Sequence, residues 1–280
     1  MKARLKGLVM LGFLAGMGLL AVEGASAGMV GAPAGNSAAD PLNLLDSHRL
    51  TVGAEGDWTF DRDLSVSGGI NAEENSSKAY RTRLSYHAWG PLEVYALLGA
   101  ADLELEATST VNPEKITENF NPGFQYGGGA GVHLQLPPDW WDLRVSIDGQ
   151  FLQWESDLDH WSGSKTGKFS ATSGNVLARA YHAALTLGRS FNLGALSVSE
   201  QEWQMTPYIG ARWSQFTAQE NDLDIDRTAR DDLSEAGWRA DKHVGVVTGI
   251  DVRLGDHWEV TVEGRFVDET AVSASGRFRF

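Results

Sequence analysis

The residues of this sequence that could support acid–base catalysis lie in two acidic segments. Asp57 and Asp61 belong to the first segment, and Asp157, Asp159 and His160 belong to the second. Paired carboxylates, and a histidine beside a carboxylate, are groups that hydrolases use to move protons near neutral pH. These residues could act together only if the fold brings the two segments to one place.

Metal-ligand patterns are weaker than these acid–base candidates. The segment Asp222-Leu223-Asp224-Ile225-Asp226 has alternating carboxylates that could offer oxygen ligands to Ca²⁺. An EF-hand would need Gly near Arg227 and Glu near Leu233, so we expect a solvated acidic loop instead. The seven histidines have no metal-ligand spacing, and the chain has no cysteine. We therefore predict no catalytic residue, no metal site, no cofactor and no disulfide.

Apolar and polar residues alternate with a period of two in about ten segments of the chain. In the last segment Val272, Ala274, Gly276, Phe278 and Phe280 fall on one face, and serines and arginines fall on the other. Such a pattern is typical of a β-strand with different surroundings on its two sides. The sequence therefore predicts an all-β protein.

The connections between these segments alternate between short and long. The tight turns are Gly90-Pro91, Pro137-Pro138-Asp139 and Gly255-Asp256. The long connections are polar and acidic, and cover about 61–78, 107–121, 156–173 and 218–239. Short turns that alternate with long loops are typical of transmembrane β-barrels. We predict one antiparallel up-and-down transmembrane β-barrel over 48–280, with ten strands, or eight as the alternative.

The N-terminal residues have the pattern of an export signal. Lys2, Arg4 and Lys6 precede an apolar stretch over 8–22, and Ala25-Ser26-Ala27 offers a cleavage site for a signal peptidase. We predict a cleaved signal peptide over 1–27 and a flexible periplasmic segment over 28–47. The formal net charge of -14 argues against nucleic acid as a partner.

Aromatic residues fall near both ends of the predicted strands. Because an indole has an apolar body and a polar N–H, tryptophan is expected at membrane–water interfaces. The predicted membrane girdle consists of Trp58, Trp89, Trp141, Trp154, Trp203, Trp213, Trp258 and Phe280.

Charged residues of both signs fall on the polar face of the strands. The predicted lumen charges are Glu55, Asp57, Arg81, Arg83, Arg144, Asp148, Arg212, Asp251, Arg253, Glu259, Glu263, Arg265, Arg277 and Arg279. In a narrow barrel such charges must be paired or hydrated, and mixed signs favour a salt-bridged plug over a selectivity-lined pore.

Two details of the interior follow from strand parity. A three-residue loop at 268–270 would pair Trp258 with Phe280 and would place Glu259 opposite Arg279. Glycines at 127, 129 and 131 would point inward and leave space for something that fills the barrel.

The chain resembles the broad class of small outer-membrane β-barrel proteins of Gram-negative bacteria, the OmpA-like, OmpW-like and opacity-like group of the porin superfamily in the broad sense. Phe278 and the terminal Phe280 resemble the C-terminal assembly signal that the barrel-assembly machinery recognises. The resemblance implies a bacterial outer-membrane location and contact with membrane lipid and lipopolysaccharide. The resemblance assigns no functional residue to this sequence.

These observations favour a structural or surface-interaction protein that contacts an unidentified ligand through acidic extracellular loops. A small porin-like channel for ions or small solutes is the alternative. Ten strands would resemble the omptin proteases, but Asp157, Asp159 and His160 do not have the omptin Asp-x-His spacing. The His-x-Ser sequence of lipid A-modifying barrels occurs once, at His160-Trp161-Ser162, and a single triplet of this kind is weak evidence for an active site. We therefore predict a protein that is not an enzyme.

Overall fold

The computed structural model describes residues 50–66, 70–89, 91–109, 115–136, 142–163, 167–170, 173–195, 202–224, 237–255 and 257–280. The predicted signal peptide (1–27) and periplasmic segment (28–47) lie outside these residues. The strands are β1 (Leu50–Arg62), β2 (Leu64–Val66), β3 (Ile70–Trp89), β4 (Leu92–Ser109), β5 (Lys115–Gln135), β6 (Leu143–Gly163), β7 (Gly167–Ser170), β8 (Ser173–Arg189), β9 (Phe191–Ala195), β10 (Glu202–Asp224), β11 (Gly237–Ala240), β12 (Val244–Leu254), β13 (Trp258–Phe266) and β14 (Glu269–Arg279). Within the described residues, no helix is long and apolar enough to cross a membrane.

Ten of these strands form a closed antiparallel ring. The order around the ring is β1, β3, β4, β5, β6, β8, β10, β12, β13 and β14, and β1 closes it by pairing with both β3 and β14. The amide N–H of Phe280 donates to the carbonyl oxygen of Leu50 at the seam (3.1 Å). The predicted ten-stranded up-and-down barrel is confirmed.

The strands of the ring differ in length by a factor of two. β12, β13 and β14 have 9 to 11 residues, whereas β3, β4, β5, β6, β8 and β10 have 17 to 23. Crossing a membrane takes about 9–11 strand residues. The long strands therefore project beyond the short ones, away from the end that carries Leu50, Phe280 and the tight turns. We call that end the turn end and the opposite end the loop end.

A second, narrower ring closes the projecting part of the barrel. At the loop end β11 pairs with β10 and β2, and β2 pairs with β3, so that eight strands form the wall above the short hairpin of β13 and β14. We call this eight-stranded part the extension and the ten-stranded part the lower section. The prediction of long loops over 61–78, 107–121, 156–173 and 218–239 is therefore wrong, because most of the described residues in these ranges are strand.

The two sections differ in which face of the wall is apolar. In β4 the outward residues are Val94 and Leu98 near the turn end, but Asp102 and Glu104 farther along. The inward side changes in the opposite sense, from buried Glu93 to buried Leu103 and Leu105. Alternate residues of β4 keep pointing inward and outward along the whole strand, but the apolar face changes from the outer to the inner one. This change is expected where the surroundings of the barrel change from lipid to water. This exchange made the projecting strand ends look like polar loops.

A largely apolar core fills the extension, and it encloses two buried carboxylates, Glu118 and Glu220, the second of which accepts a hydrogen bond from Nε1 of Trp238 at 2.6 Å. The buried apolar residues of the core are Leu64, Leu103, Leu105, Ile116, Phe120, Trp154, Leu158, Val176, Ala178, Phe216, Ala218, Trp238 and Ala240. The ring of Trp154 lies 6.0 Å from that of Phe216, and Trp154 is only 4% exposed. The prediction that Trp154 belongs to the membrane girdle is therefore wrong. Trp154 has the parity of inward Asp148, and its apolar ring fits the interior because the extension has an apolar inside.

The register of the last hairpin differs from the prediction by two residues. Trp258 pairs with Phe278, and Glu259 pairs with Arg277 rather than Arg279. The last pair of this hairpin is Arg265 with Ala271, so residues 266–270 connect the paired parts, and Val267 in this connection has a φ of 86°. A shift of two residues keeps every side chain on its predicted face, which is why the parity was right while the partners were wrong.

Candidate functional site

The interior of the lower section is lined by charged side chains of both signs. Eleven of the fourteen predicted lumen charges are buried, and Asp57, Arg253 and Arg279 are partly exposed. Prediction from sequence missed six further buried charges: Arg62, Glu93, Asp268 and Glu269 in this section, and Glu118 and Glu220 in the extension. Arg62, Asp268 and Glu269 lie at strand ends that the sequence pattern assigned to loops, and Glu93 follows the tight turn at the start of β4. Among the described residues, the inward set of the lower section therefore holds nine arginines and nine carboxylates.

Glu269 is the centre of the cluster nearest the extension. Its carboxylate accepts a hydrogen bond from Nε of Arg62 at 3.0 Å and is contacted by Nη1 of Arg212. Nε of Arg265 lies 2.9 Å from the same carboxylate. The guanidinium of Arg62 also stacks on the ring of Phe216, 4.7 Å from its centroid. The cluster therefore packs directly against the apolar core.

The tip of the last hairpin adds an acid to this cluster. The hydroxyl of Ser214 donates to Asp268 at 2.6 Å, and Nη1 of Arg212 lies 3.6 Å from the same side chain. A Cβ at Gly245 would come within 1.8 Å of Asp268 Oδ1. The hairpin tip can fold inward only because residue 245 has no side chain.

A second cluster surrounds Arg83 closer to the turn end. Nη2 of Arg83 donates to Glu93 at 2.9 Å, and its guanidinium lies 3.5 Å from the centroid of the Tyr95 ring. The hydroxyl of Tyr95 donates in turn to Asp148 at 2.9 Å. Nε2 of His133 lies 3.3 Å from Glu93. Each charge of this cluster has a partner of opposite sign or a hydrogen-bonding ring beside it.

The predicted inward glycines make room for these rings. A Cβ at Gly129 would lie 2.4 Å from the hydroxyl oxygen of Tyr95, and one at Gly249 would lie 2.4 Å from that of Tyr208. A Cβ at Gly131 would come within 2.8 Å of His133 Nε2. The groups that fill the space are therefore side chains of the barrel itself.

The remaining lumen charges are paired both between neighbouring strands and across the interior. Arg144 contacts Asp251, which accepts a hydrogen bond from Thr261 at 2.6 Å. The hydroxyl of Tyr208 donates to Glu263 at 2.9 Å, and Nη1 of Arg277 lies 3.6 Å from Glu259. All nine inward cations are arginines, whose planar forks can bind two carboxylates at once. Lys78, Lys115 and Lys242 are exposed.

The outer face of the lower section is an apolar belt. Exposed side chains of this belt include Leu84, Leu98, Leu134, Ile147, Leu185, Ile209, Val246, Ile250 and Val260. Aromatic pairs lie along its loop-end boundary: Trp58 with Tyr80 (6.1 Å between centroids), Phe124 with Tyr126 (6.2 Å) and Phe151 with Tyr181 (5.0 Å). Trp258, Phe278 and Phe280 form another cluster at the turn end.

The other predicted girdle residues can be placed against this belt. Trp58, Trp203, Trp213, Trp258 and Phe280 occupy outward positions on their strands. The side chains of Trp89 and Trp141 lie outside the described part of the structure. Phe278 and Phe280, the predicted assembly signal, have ring centroids 5.1 Å apart.

The fold does not bring the acid–base candidates together. Asp57 points into the barrel, where it accepts hydrogen bonds from Arg81 (3.1 Å) and Arg265 (3.0 Å). Asp157 and Asp159 are exposed on the outer face of β6, with Nδ1 of His160 2.6 Å from Asp159. Among the described residues, no group of three or more histidine or carboxylate side chains could hold a metal ion.

Comparison with known proteins gives likeness of architecture only. No model of a known protein family matches the chain. No curated protein sequence matches it either. The outer membrane protein OprG of Pseudomonas aeruginosa is a similar structure, with 8% identity, a TM-score of 0.40, and coverage of 84% of this chain and 97% of OprG.

Two autotransporter domains are similar to a comparable degree. The translocator domain of NalP from Neisseria meningitidis has 12% identity and a TM-score of 0.40, covering 83% of this chain and 88% of that one. The beta domain of the Bordetella autotransporter BrkA has 10% identity and a TM-score of 0.35, covering 83% and 100%.

Proposed function

We propose that this protein is an integral barrel protein of the bacterial outer membrane with a structural or surface-interaction role, and that it is not an enzyme. The apolar belt supports membrane insertion, because it is as tall as the short strands β12 to β14 and is bordered by aromatic residues on both sides. The turn end would face the periplasm and the extension would stand outside the cell.

The apolar core of the extension is the observation that carries the proposal of a closed barrel. An ion that travelled along the barrel would meet paired arginines and carboxylates first and then the rings of Trp154, Phe216 and Trp238. Moving a charge from water into a packed apolar layer is strongly unfavourable. The interior is therefore filled by packed side chains, and its role is to support the outer wall.

The outer wall of the extension would be the surface that meets other molecules. Acidic residues project from more than one strand of this wall, among them Asp102, Glu104 and Glu106 on β4 and Glu155 and Asp157 on β6. Partial burial and the neighbouring Glu106 raise the pKa of Glu104. The wall and the acidic loops would present a negative surface to a ligand outside the cell.

Single-channel recording in planar lipid bilayers tests the closed barrel. We expect the folded protein to show no steady open level, while a general porin inserted by the same procedure conducts. A steady ohmic conductance of the folded protein would contradict the proposal. It would favour the small porin-like channel, for which the polar lining of the lower section is the supporting observation.

A further inference from the structure

A row of polar side chains crosses the outer face of the barrel just above the apolar belt. In register, Tyr126 pairs with Gln153, Gln153 with Arg179, Arg179 with Thr217, and Thr217 with Arg239. Arg179 and Arg239 are exposed on β8 and β11. With one strand between them, their Cα atoms are about 10 Å apart. The row therefore offers two guanidinium groups with the Thr217 hydroxyl between them.

The row is positioned at the boundary where lipid headgroups would lie. Tyr181, two residues from Arg179 on β8, is 40% exposed and packs on Phe151 as part of the aromatic border. Trp213, four residues from Thr217 on β10, is 43% exposed. Arg179 and Thr217 therefore lie one and two outward-facing positions from the last lipid-facing rings of their strands, and Arg239 lies beside Thr217.

The two guanidinium groups are available to an anion. Neither Arg179 nor Arg239 forms an ion pair with a described residue, although Nε of Arg179 donates to Gln153 at 3.0 Å. Glu155 lies diagonally across from Arg179 and accepts instead from Asn175 at 2.5 Å. Asp241 follows Arg239 by two residues, beside Lys242, which contacts Asp63. In a chain of net charge -14 this row is an exception, because Tyr126, Gln153, Arg179, Thr217 and Arg239 include no acid.

We propose that Arg179, Thr217 and Arg239 bind the phosphate groups of lipopolysaccharide in the outer leaflet. Arginine forks bind phosphate by paired, charge-assisted hydrogen bonds, and basic residues at a membrane border bind anionic headgroups. The acyl chains of the same molecule would lie against the apolar belt next to Tyr181 and Trp213. This inference rests on the proposed insertion of the belt in the outer membrane.

Titration of purified, folded protein with lipid A and with enzymatically dephosphorylated lipid A, in detergent micelles, tests the proposal. We expect the double variant Arg179→Gln, Arg239→Gln to bind lipid A at least tenfold more weakly. The dephosphorylated lipid should bind the natural protein about as weakly as lipid A binds the variant.

Arg189→Gln is the matched control, because Arg189 is an exposed arginine at the turn end of the same strand as Arg179 and lies over the ring of Phe191. It should leave lipid A binding within twofold of the natural value. Equal affinity of the double variant, or equal affinity for the two lipids, would overturn the proposal. So would equal binding of phosphatidylglycerol, because the site would then select any anionic lipid. None of these outcomes depends on whether the barrel conducts, so a failure here is distinguishable from failure of the closed barrel.

Discussion

Replacing Glu269 with alanine is expected to destabilise the barrel by about 3–5 kcal/mol, the cost typical of breaking a buried ion pair. Arg62, Arg212 and Arg265 all contact this carboxylate, and all four side chains are buried. Its removal leaves three guanidinium groups near one another with fewer anions to balance them. The measurement is the free energy of unfolding in urea, with the protein folded in lipid vesicles.

Glu106→Ala is the control for this prediction. Glu106 pairs with Lys115 at 2.8 Å on the outer face of the extension, where Lys115 is exposed. Surface pairs of this kind contribute about 0–1 kcal/mol, so we expect a loss in that range. An equal loss for Glu269→Ala and Glu106→Ala would show that the central cluster does not support the fold.

Replacing Trp154 with alanine is expected to cost about 3–5 kcal/mol, as for other large aromatic residues removed from packed cores. The lost ring packs against Phe216, and the cavity would lie between the core and the Glu269 cluster. We expect the variant to unfold at lower urea concentration and its extension to become sensitive to protease.

Trp213→Ala is the control that distinguishes the loss of a core tryptophan from the loss of one at the membrane border. Trp213 is on the outer face and 43% exposed, so that its removal opens no internal cavity. We expect Trp213→Ala to lower the free energy of unfolding by less than half as much as Trp154→Ala does. Trp154→Phe should lower it less than Trp154→Ala, because the phenyl ring fills part of the cavity. A greater loss from Trp213→Ala than from Trp154→Ala would contradict the role of Trp154 as a main stabilising residue of the core.

Strand parity could be predicted from the sequence, and it placed the lumen charges correctly. Alternation assigns Arg81, Arg83 and Arg144 to one face without any knowledge of their partners. Clusters such as the one around Glu269 could not be predicted, because its members come from β1, β10, β13 and β14, and only closure of the ring brings them together.

Two predictions failed for physical reasons that a period of two cannot reveal. Alternation does not say which solvent lies on which face, so the exchange of polarity along β4 and β6 was missed and Trp154 was misplaced. The register of the last hairpin depends on the turn, and parity requires only an odd number of connecting residues, so it cannot distinguish two registers that differ by two residues. A positive φ at a β-branched residue such as Val267 is too rare to predict.

The exchange of polarity along β4 is the claim on which the account rests, and site-directed spin labelling tests it directly. The chain has no cysteine, so single cysteines can be introduced one at a time along Val94 to Glu106 in vesicle-embedded protein. We predict that labels at Val94, Ala96 and Leu98 collide with oxygen dissolved in lipid, and that labels at Asp102, Glu104 and Glu106 collide with a water-soluble nickel chelate. Labels at the inward Leu103 and Leu105 should be shielded from both. Oxygen accessibility that continues through Glu106, or nickel accessibility at Leu103 and Leu105, would contradict a water-exposed extension with an apolar core.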